Sequence, residues 1–598
     1  MIPETIRTLF VAILLTCTFA AAQNDNSTPS KFNEATIAQL QADMSSGKLT
    51  SVELTQFYIT RILKLDQKGP GVNSVIELNP DAAAQARDAD AMRRRGASFP
   101  LLGIPVLLKD NIDTGDKMQT TAGSFALFGT PAQQDSTVAA NLRKAGAVIL
   151  GKTNLSEWAN FRSFFSTSGW SGRGGLAHNP YSLDRNACGS SSGSAAAASA
   201  NFTAVSLGSE TDGSIVCPAN VNGVVGIKPT VGLVSRGGVV PISHTQDTVG
   251  PHARTVADAA TTLNFIVARS SDPRDPETSG VPLGWQACSP TCSTAVPLPG
   301  KSRPAISADY TAFLNPAGLQ GARLGVTRQG IDNAPPQVVA AFDAAIEAIT
   351  DVGATIVNLD DPTVCAAPCF SPADGEFMVL LYDFKFDVAK YFGTRVGVPV
   401  AGGTLQTAID FNNANAATEM PYFGQEIFTL AETMNSDPNF CDPRFTSPSN
   451  VLPGTDTCMT YNQALIIDHL AGASLDSALS QHNLDAIVAP TDSPGWTTDL
   501  ILSDHFIFAS SGLAGPPGYP IINVPAANVL GMPMGISFIG TGFSESKLIT
   551  LASGFEAVTH GRFVPTFTGN VTTANTSGTT LVHPPRVSEP TKKVPHHM

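Results

Sequence analysis

Apolar and polar positions along the chain alternate between a helical and a strand period. Thr50 and Glu53 form a capping box ahead of apolar Val52, Leu54 and Ile59, which predicts a helix starting near Thr50. The Ala-, Arg- and Asp-rich run 81–95 reads as a second helix. LLGIPVLLKD (101–110) is a short apolar run broken by Pro105 and reads as a buried strand. STVAANLRKAG (136–146) reads as a helix closed by Gly146 and followed by the strand AVILG. The alternation continues through VVGIKPT (224–230), ARLGVTR (322–328), a helix over 338–350 and ATIVNL (354–359). Helix and strand trading places on this scale predict an α/β fold.

Four stretches fall outside that rhythm. Residues 9–22, LFVAILLTCTFAAA, are an apolar segment of signal-peptide length ending in small Ala20, Ala21 and Ala22, so 1–22 is expected to be cleaved on export and 23–31 to be a flexible segment. The Pro-, Ser- and Asp-rich 270–312 and the cysteine-bearing, weakly periodic 361–460 read as elaborations on a core. The Thr-, Asn- and Pro-rich 565–598 has no plausible core and is expected to be a disordered tail. Export makes the chain secreted and extracellular. It also leaves eight cysteines, an even number compatible with disulfides: Cys188, Cys217, Cys288, Cys292, Cys365, Cys369, Cys441 and Cys458. No histidine lies near the two C-x3-C pairs at ligand spacing, so no metal is expected. Of the sequons, Asn26, Asn570 and Asn575 lie in polar termini and could carry glycan, whereas Asn154 and Asn201 are expected to be buried. Lys plus Arg number 36 against 50 for Asp plus Glu, a net charge of −14 that leaves no basic surplus for a nucleic acid. No later segment is apolar enough for stable membrane association.

The densest chemistry lies in NPYSLDRNACGSSSGSAAAASA (179–200) and VSLGSETDGSIVCPANVNGVVGIKPT (205–230). Gly, Ser and Ala let backbone approach a ligand and present free N–H groups, with a helix expected from Ala195. GSSSG (189–193) matches a nucleophile elbow with Ser191 at its centre, which would need a histidine base from among His244, His252, His469, His482, His505 and His560. The other reading pairs the serines with Lys109, which follows apolar IPVLL. A lysine entering an apolar pocket loses the hydration of its charged form, so its pKa falls toward neutrality and it can act as a base.

GIPVLLKDNIDTGDKMQTTAGS (103–124), GKTNLSEWA (151–159), NPYSLDRNACGSSSGSAAA (179–197), GSETDGSIVCPA (208–219) and GIKPTVGLVSRGGVVP (226–241) resemble the amidase signature family in order and spacing. DAIVAPT (485–491), GYPIINVPA (518–526) and GMPMGISFIG (531–540) resemble its closing strands. The resemblance covers 32–564 and implies a single large α/β domain, a mixed twisted β-sheet covered by helices on both faces. It implies Lys109 as the catalytic lysine, Ser190 as a bridging serine at a cis peptide bond, and Ser214 as the acylated nucleophile. The backbone N–H groups of Thr211, Asp212, Gly213 and Ser214 would form the oxyanion hole. Met118, Thr121, Gly123, Ser124, Gly189 and Ser191 are expected to meet the substrate. The expected function is a secreted serine amidase that cleaves a linear amide C–N bond to an acid plus ammonia or an amine, with no cofactor and as a monomer or homodimer. The substrate is a small-molecule or peptide amide, aryl and fatty-acid amides being alternatives within the family. A catalytically silent binding protein is the alternative outside it. The sequence departs from the family in Asp212-Gly213 where Gly-Gly is usual, and in the loop Cys188–Ser194. Cys188 and Cys217 are read as two small buried residues in preference to a disulfide.

Overall fold

The computed structural model describes residues 32–279, 306–365, 369–371 and 373–569. The expectations for 1–31, for Cys288 and Cys292, for Asn26, Asn570 and Asn575, and for most of the tail lie outside the described residues. Thr50 caps the helix Ser51–Arg61 through the expected box, and the runs at 81–95 and 136–146 form Ala82–Arg94 and Thr137–Lys144. Gly146 closes the latter at φ 76°.

One 11-stranded sheet organises the chain. Across it lie Val75–Leu78, Val148–Thr153, Pro105–Lys109, Val205–Glu210, Thr248–Ala253, Val225–Lys228, Ile521–Val529, Met532–Ile539, Ala486–Pro490, Arg323–Val326 and Thr355–Asn358. Pro105–Lys109 is an interior strand, third from one edge and parallel to both neighbours, and Val205–Glu210 then pairs antiparallel with Thr248–Ala253. The sheet is therefore mixed. Both faces are buried: Ile522, Val524, Val488, Ile536 and Phe538 join the main core, while alternate residues Ile521, Ile487 and Ile539 join a second cluster on the opposite face. Helices Pro336–Asp351 and Glu545–Thr559 pack against Ile521–Val529, as does Val216–Val221.

The stretch 361–460 is more regular than its sequence suggests. It contains the helices Glu376–Phe392, Leu405–Ala414 and Glu426–Glu432, which build a separate core with Trp158 and Phe161. Its aromatics (Phe384, Phe392, Phe428) are buried on one another and on Trp158, so the residues that blur a helical period in sequence are those that hold this layer together. Asn154 and Asn201 are buried, as expected.

Candidate active site

The parallel register sets Leu108 beside Leu207, so the end of Pro105–Lys109 delivers Lys109 to Ser209. Lys109 is fully buried, with its Nζ 2.6 Å from Ser190 Oγ, 3.1 Å from the Ser209 carbonyl and 3.0 Å from Ser209 Oγ. Burial lowers its pKa from 10.5 to about 7, against the opposing charges of Asp247 and Glu210. A neutral amine has two N–H donors and one lone pair. With the donors on Ser209, the lone pair faces the Ser190 hydroxyl. Asn111 Nδ2 donates to Ser209 Oγ at 2.9 Å and fixes that orientation. Two other fully buried lysines are held differently: Lys152 donates to the Ile112 carbonyl and Thr120 Oγ1, and Lys228 to the carbonyls of Ala514 and Tyr519.

The Gly189–Ser190 peptide is cis. A Cβ at Gly189 would lie 2.1 Å from Ser156 Oγ, which restricts the position to glycine. The following helix starts at Ser192, earlier than the expected Ala195, because its small residues are all buried and Gly193 packs against backbone of Ser74 and Asn154. Ser191 N–H donates to the Ser214 carbonyl at 3.2 Å, tying the two serine-bearing segments together.

Ser214 sits on the turn between Val205–Glu210 and Val216–Val221 and is 8% exposed. Glu210 anchors the turn by accepting the N–H groups of Ile215 and Val216 at 2.6 and 3.0 Å. Thr211 Oγ1 donates to Asp247, whose carboxyl burial pushes up to about 6. Among the described residues, the N–H groups of Thr211, Asp212, Gly213 and Ser214 donate to no protein acceptor. Donors left free on one turn are the kind of group that can meet a developing oxyanion.

Cys188 and Cys217 form a disulfide, with Cα atoms 6.0 Å apart. This corrects the expectation of two separate buried residues: folding brings the two serine-bearing segments together, and their flanking cysteines with them. Cys441–Cys458 and Cys365–Cys369 are likewise joined. His482 Nε2 reaches within 3.9 Å of Cys365 Sγ, a proximity that sequence spacing concealed.

Most of the residues expected to meet the substrate have partners within the protein. Gly189 precedes Ser190 through the cis peptide, and Met118 is fully buried in the main core. Thr121 donates its hydroxyl to Asp110, and Gly123 donates its N–H to Thr121 Oγ1 at 3.1 Å. Ser124 donates to Glu419 Oε2 at 2.8 Å and caps Phe125–Leu127. These residues brace a loop that needs every polar group satisfied in a dry interior. Ser191 Oγ donates to the Ser209 carbonyl at 3.0 Å, and His252 Nε2 lies 3.0 Å from the Ile215 carbonyl, so the serine–histidine elbow is not assembled. Sequence reasoning passed over Ser209, although it stands inside GSETDGS (208–214).

A buried lysine meets a serine at the end of an interior strand, beside a second serine on a donor-rich turn, an arrangement suited to cleaving amide C–N bonds. The Amidase family model matches residues 53–549. The chain belongs to the amidase signature family. It is 39% identical to a probable amidase of Arabidopsis thaliana over 92% of this chain and 94% of that one. It is 35% identical to a putative amidase of Arthroderma benhamiae, over 89% of this chain and 86% of that one. The native peptide amidase of Stenotrophomonas maltophilia superposes with a TM-score of 0.77 at 41% identity, covering 90% of this chain and 100% of that one.

Proposed function

We propose that the protein hydrolyses a terminal carboxamide through an acyl-enzyme, with Lys109, Ser190 and Ser214 as the relay. The observation that carries this is the 2.6 Å approach of a fully buried, readily neutral Lys109 to Ser190. Neutral Lys109 accepts the Ser190 proton as Ser190 takes that of Ser214. Ser214 Oγ then attacks the amide carbonyl. Its oxygen, now negative, is met by N–H groups of the Thr211–Ser214 turn, donors of a kind whose loss costs about 10²–10³ in rate. Ser190 returns a proton to the departing nitrogen, ammonia leaves, and water attacks the acyl-enzyme along the same relay.

Peptide amides are the favoured substrates. The 41%-identical structural relative is a peptide amidase. An apolar rim also borders the site: Phe164, Phe165, Ile501, Leu502, Phe506 and Ile507 are each more than half exposed. Their two loops are linked by Thr167 Oγ1 donating to the Asp499 carbonyl and Ser503 Oγ to that of Ser166. Ser168 of the same loop packs against Gly189. A secreted setting is supported by the disulfides.

The test is ammonia release from acetamide, benzamide, an N-acetyl dipeptide amide and oleamide by wild type beside Ser214→Ala. Release by wild type alone, highest for the peptide amide, is expected. Equal release by both proteins would overturn the assignment.

A further inference from the structure

Asp212, which stands where the family pattern has glycine, has a carboxyl that the relay does not use. It lies over the turn at 511–515, where glycine makes room for it: a Cβ at Gly515 would come within 2.9 Å of Asp212 Cγ. Glu376, the first residue of Glu376–Phe392, sets a second carboxyl against it. Asp468, from helix Tyr461–Gln481, brings a third beside Glu376 and is 2% exposed. Gln246, 1% exposed, donates its Nε2 to Glu376 Oε1 at 2.9 Å. Four side chains from four segments thus converge two residues from the nucleophile.

Their hydrogen bonding is incomplete in one sense only. Asp468 Oδ1 and Gln246 Oε1, both acceptors, are buried without a partner, whereas Asp212 hydrogen-bonds Ser511 and meets Glu376 carboxyl to carboxyl. Lys228 acts on Asp212 electrostatically, but its ammonium donates to the Ala514 and Tyr519 carbonyls. Burying such oxygens without donors is costly. Burial and mutual repulsion push the carboxyls of Asp212, Glu376 and Asp468 up, so the cluster on its own retains protons; an ammonium, with three donors and a positive charge, can take the place of one.

We propose that Asp212, Glu376, Asp468 and Gln246 form a subsite for the free N-terminal ammonium of a short peptide amide. This rests on the reading of Lys109, Ser190 and Ser214 as an amide-hydrolysing relay. The reach fits. Asp212 stands two positions before Ser214, a Cα span of at most about 7 Å, and one peptide step covers about 3.8 Å. An amine one or two residues upstream of the reacting carbonyl therefore falls within the cluster.

The test is calorimetric binding to full-length Ser214→Ala protein, with glycyl-phenylalaninamide as probe beside its N-acetylated form. The free amine is expected to bind roughly tenfold or more tightly than the acetylated peptide. Adding Glu376→Gln, or separately Asp468→Asn, is expected to erase most of that ratio. Equal or tighter binding of the acetylated peptide, binding of neither, or an unchanged ratio in both folded variants would overturn the subsite. Hydrolysis of the acetylated peptide by wild type tests the relay separately, so the failure of one reading is distinguishable from failure of the other.

Discussion

Replacing Asp247 by asparagine shifts the acid limb of the pH–rate profile to lower pH. Burial lowers Lys109 from 10.5 to about 7, a bias of about 5 kcal/mol against its charged form. Asp247 and Glu210 oppose that bias from the adjoining loop and strand end, and His252, lowered by burial to about 4, faces the same lysine uncharged. If neutral Lys109 is the base, kcat/KM falls tenfold per unit below its pKa, to roughly 1% of its plateau two units down. Removing the Asp247 charge removes part of what holds the proton on Lys109, so the limb moves down by on the order of half to one unit. The plateau also drops, because Thr211 loses a charged acceptor. The assay is kcat/KM for an N-acetyl dipeptide amide from pH 4.5 to 9 at two temperatures. Warming lowers the pKa of an amine but scarcely moves that of a carboxyl, so the wild-type limb should move down on warming. A rate flat from pH 8 to 5, a limb indifferent to temperature, or an upward shift in Asp247→Asn would refute the lysine base.

Two further outcomes concern stability. Replacing Cys188 and Cys217 by alanine opens a loop of sequence separation 29 and costs about 3–4 kcal/mol, lowering the thermal unfolding midpoint; an unchanged midpoint, or free thiols in the wild type, would contradict the cross-link. Burial alone would lower His244, but Asp383 and Asp387 outweigh it and Arg236, pushing His244 from 6.5 up to about 9. The stability it contributes is therefore complete below pH 6.5 and lost as pH rises through 9, so the unfolding midpoints of wild type and His244→Gln should differ most in acid and converge above pH 9. With the His244 side chain 40% exposed, screening limits the effect to about 1 kcal/mol; a constant gap would deny the charge a role.

Much of the fold was legible because its signals are local. The Thr50–Glu53 box, the apolar strand ending in Lys109 and the helix closed by Gly146 depend on neighbours within a turn or a strand, and each formed where the pattern placed it. The stretch 361–460 was less legible because its helices bury aromatics against Trp158 and Phe161, which lie far away in the chain. The internal partners of Thr121 and Ser124 were illegible for a related reason. Thr121 and Ser124 are polar residues near the relay, but Asp110 and Glu419 take their hydroxyls, a fact no spacing reveals.

The sequence by itself determined the family motifs that hold Lys109, Ser190 and Ser214 and the strand that ends in the lysine, since residue type, order and local period are written in it. The tertiary structure alone decided how those groups behave. Only the packed sheet makes Lys109 dry and orients its amine through Ser209. Only the convergence of the two serine segments joins Cys188 to Cys217, and only the docking of Glu376–Phe392 sets Glu376 against Asp212. Desolvation and long-range pairing depend on which distant residues surround a group, so they belong to the fold.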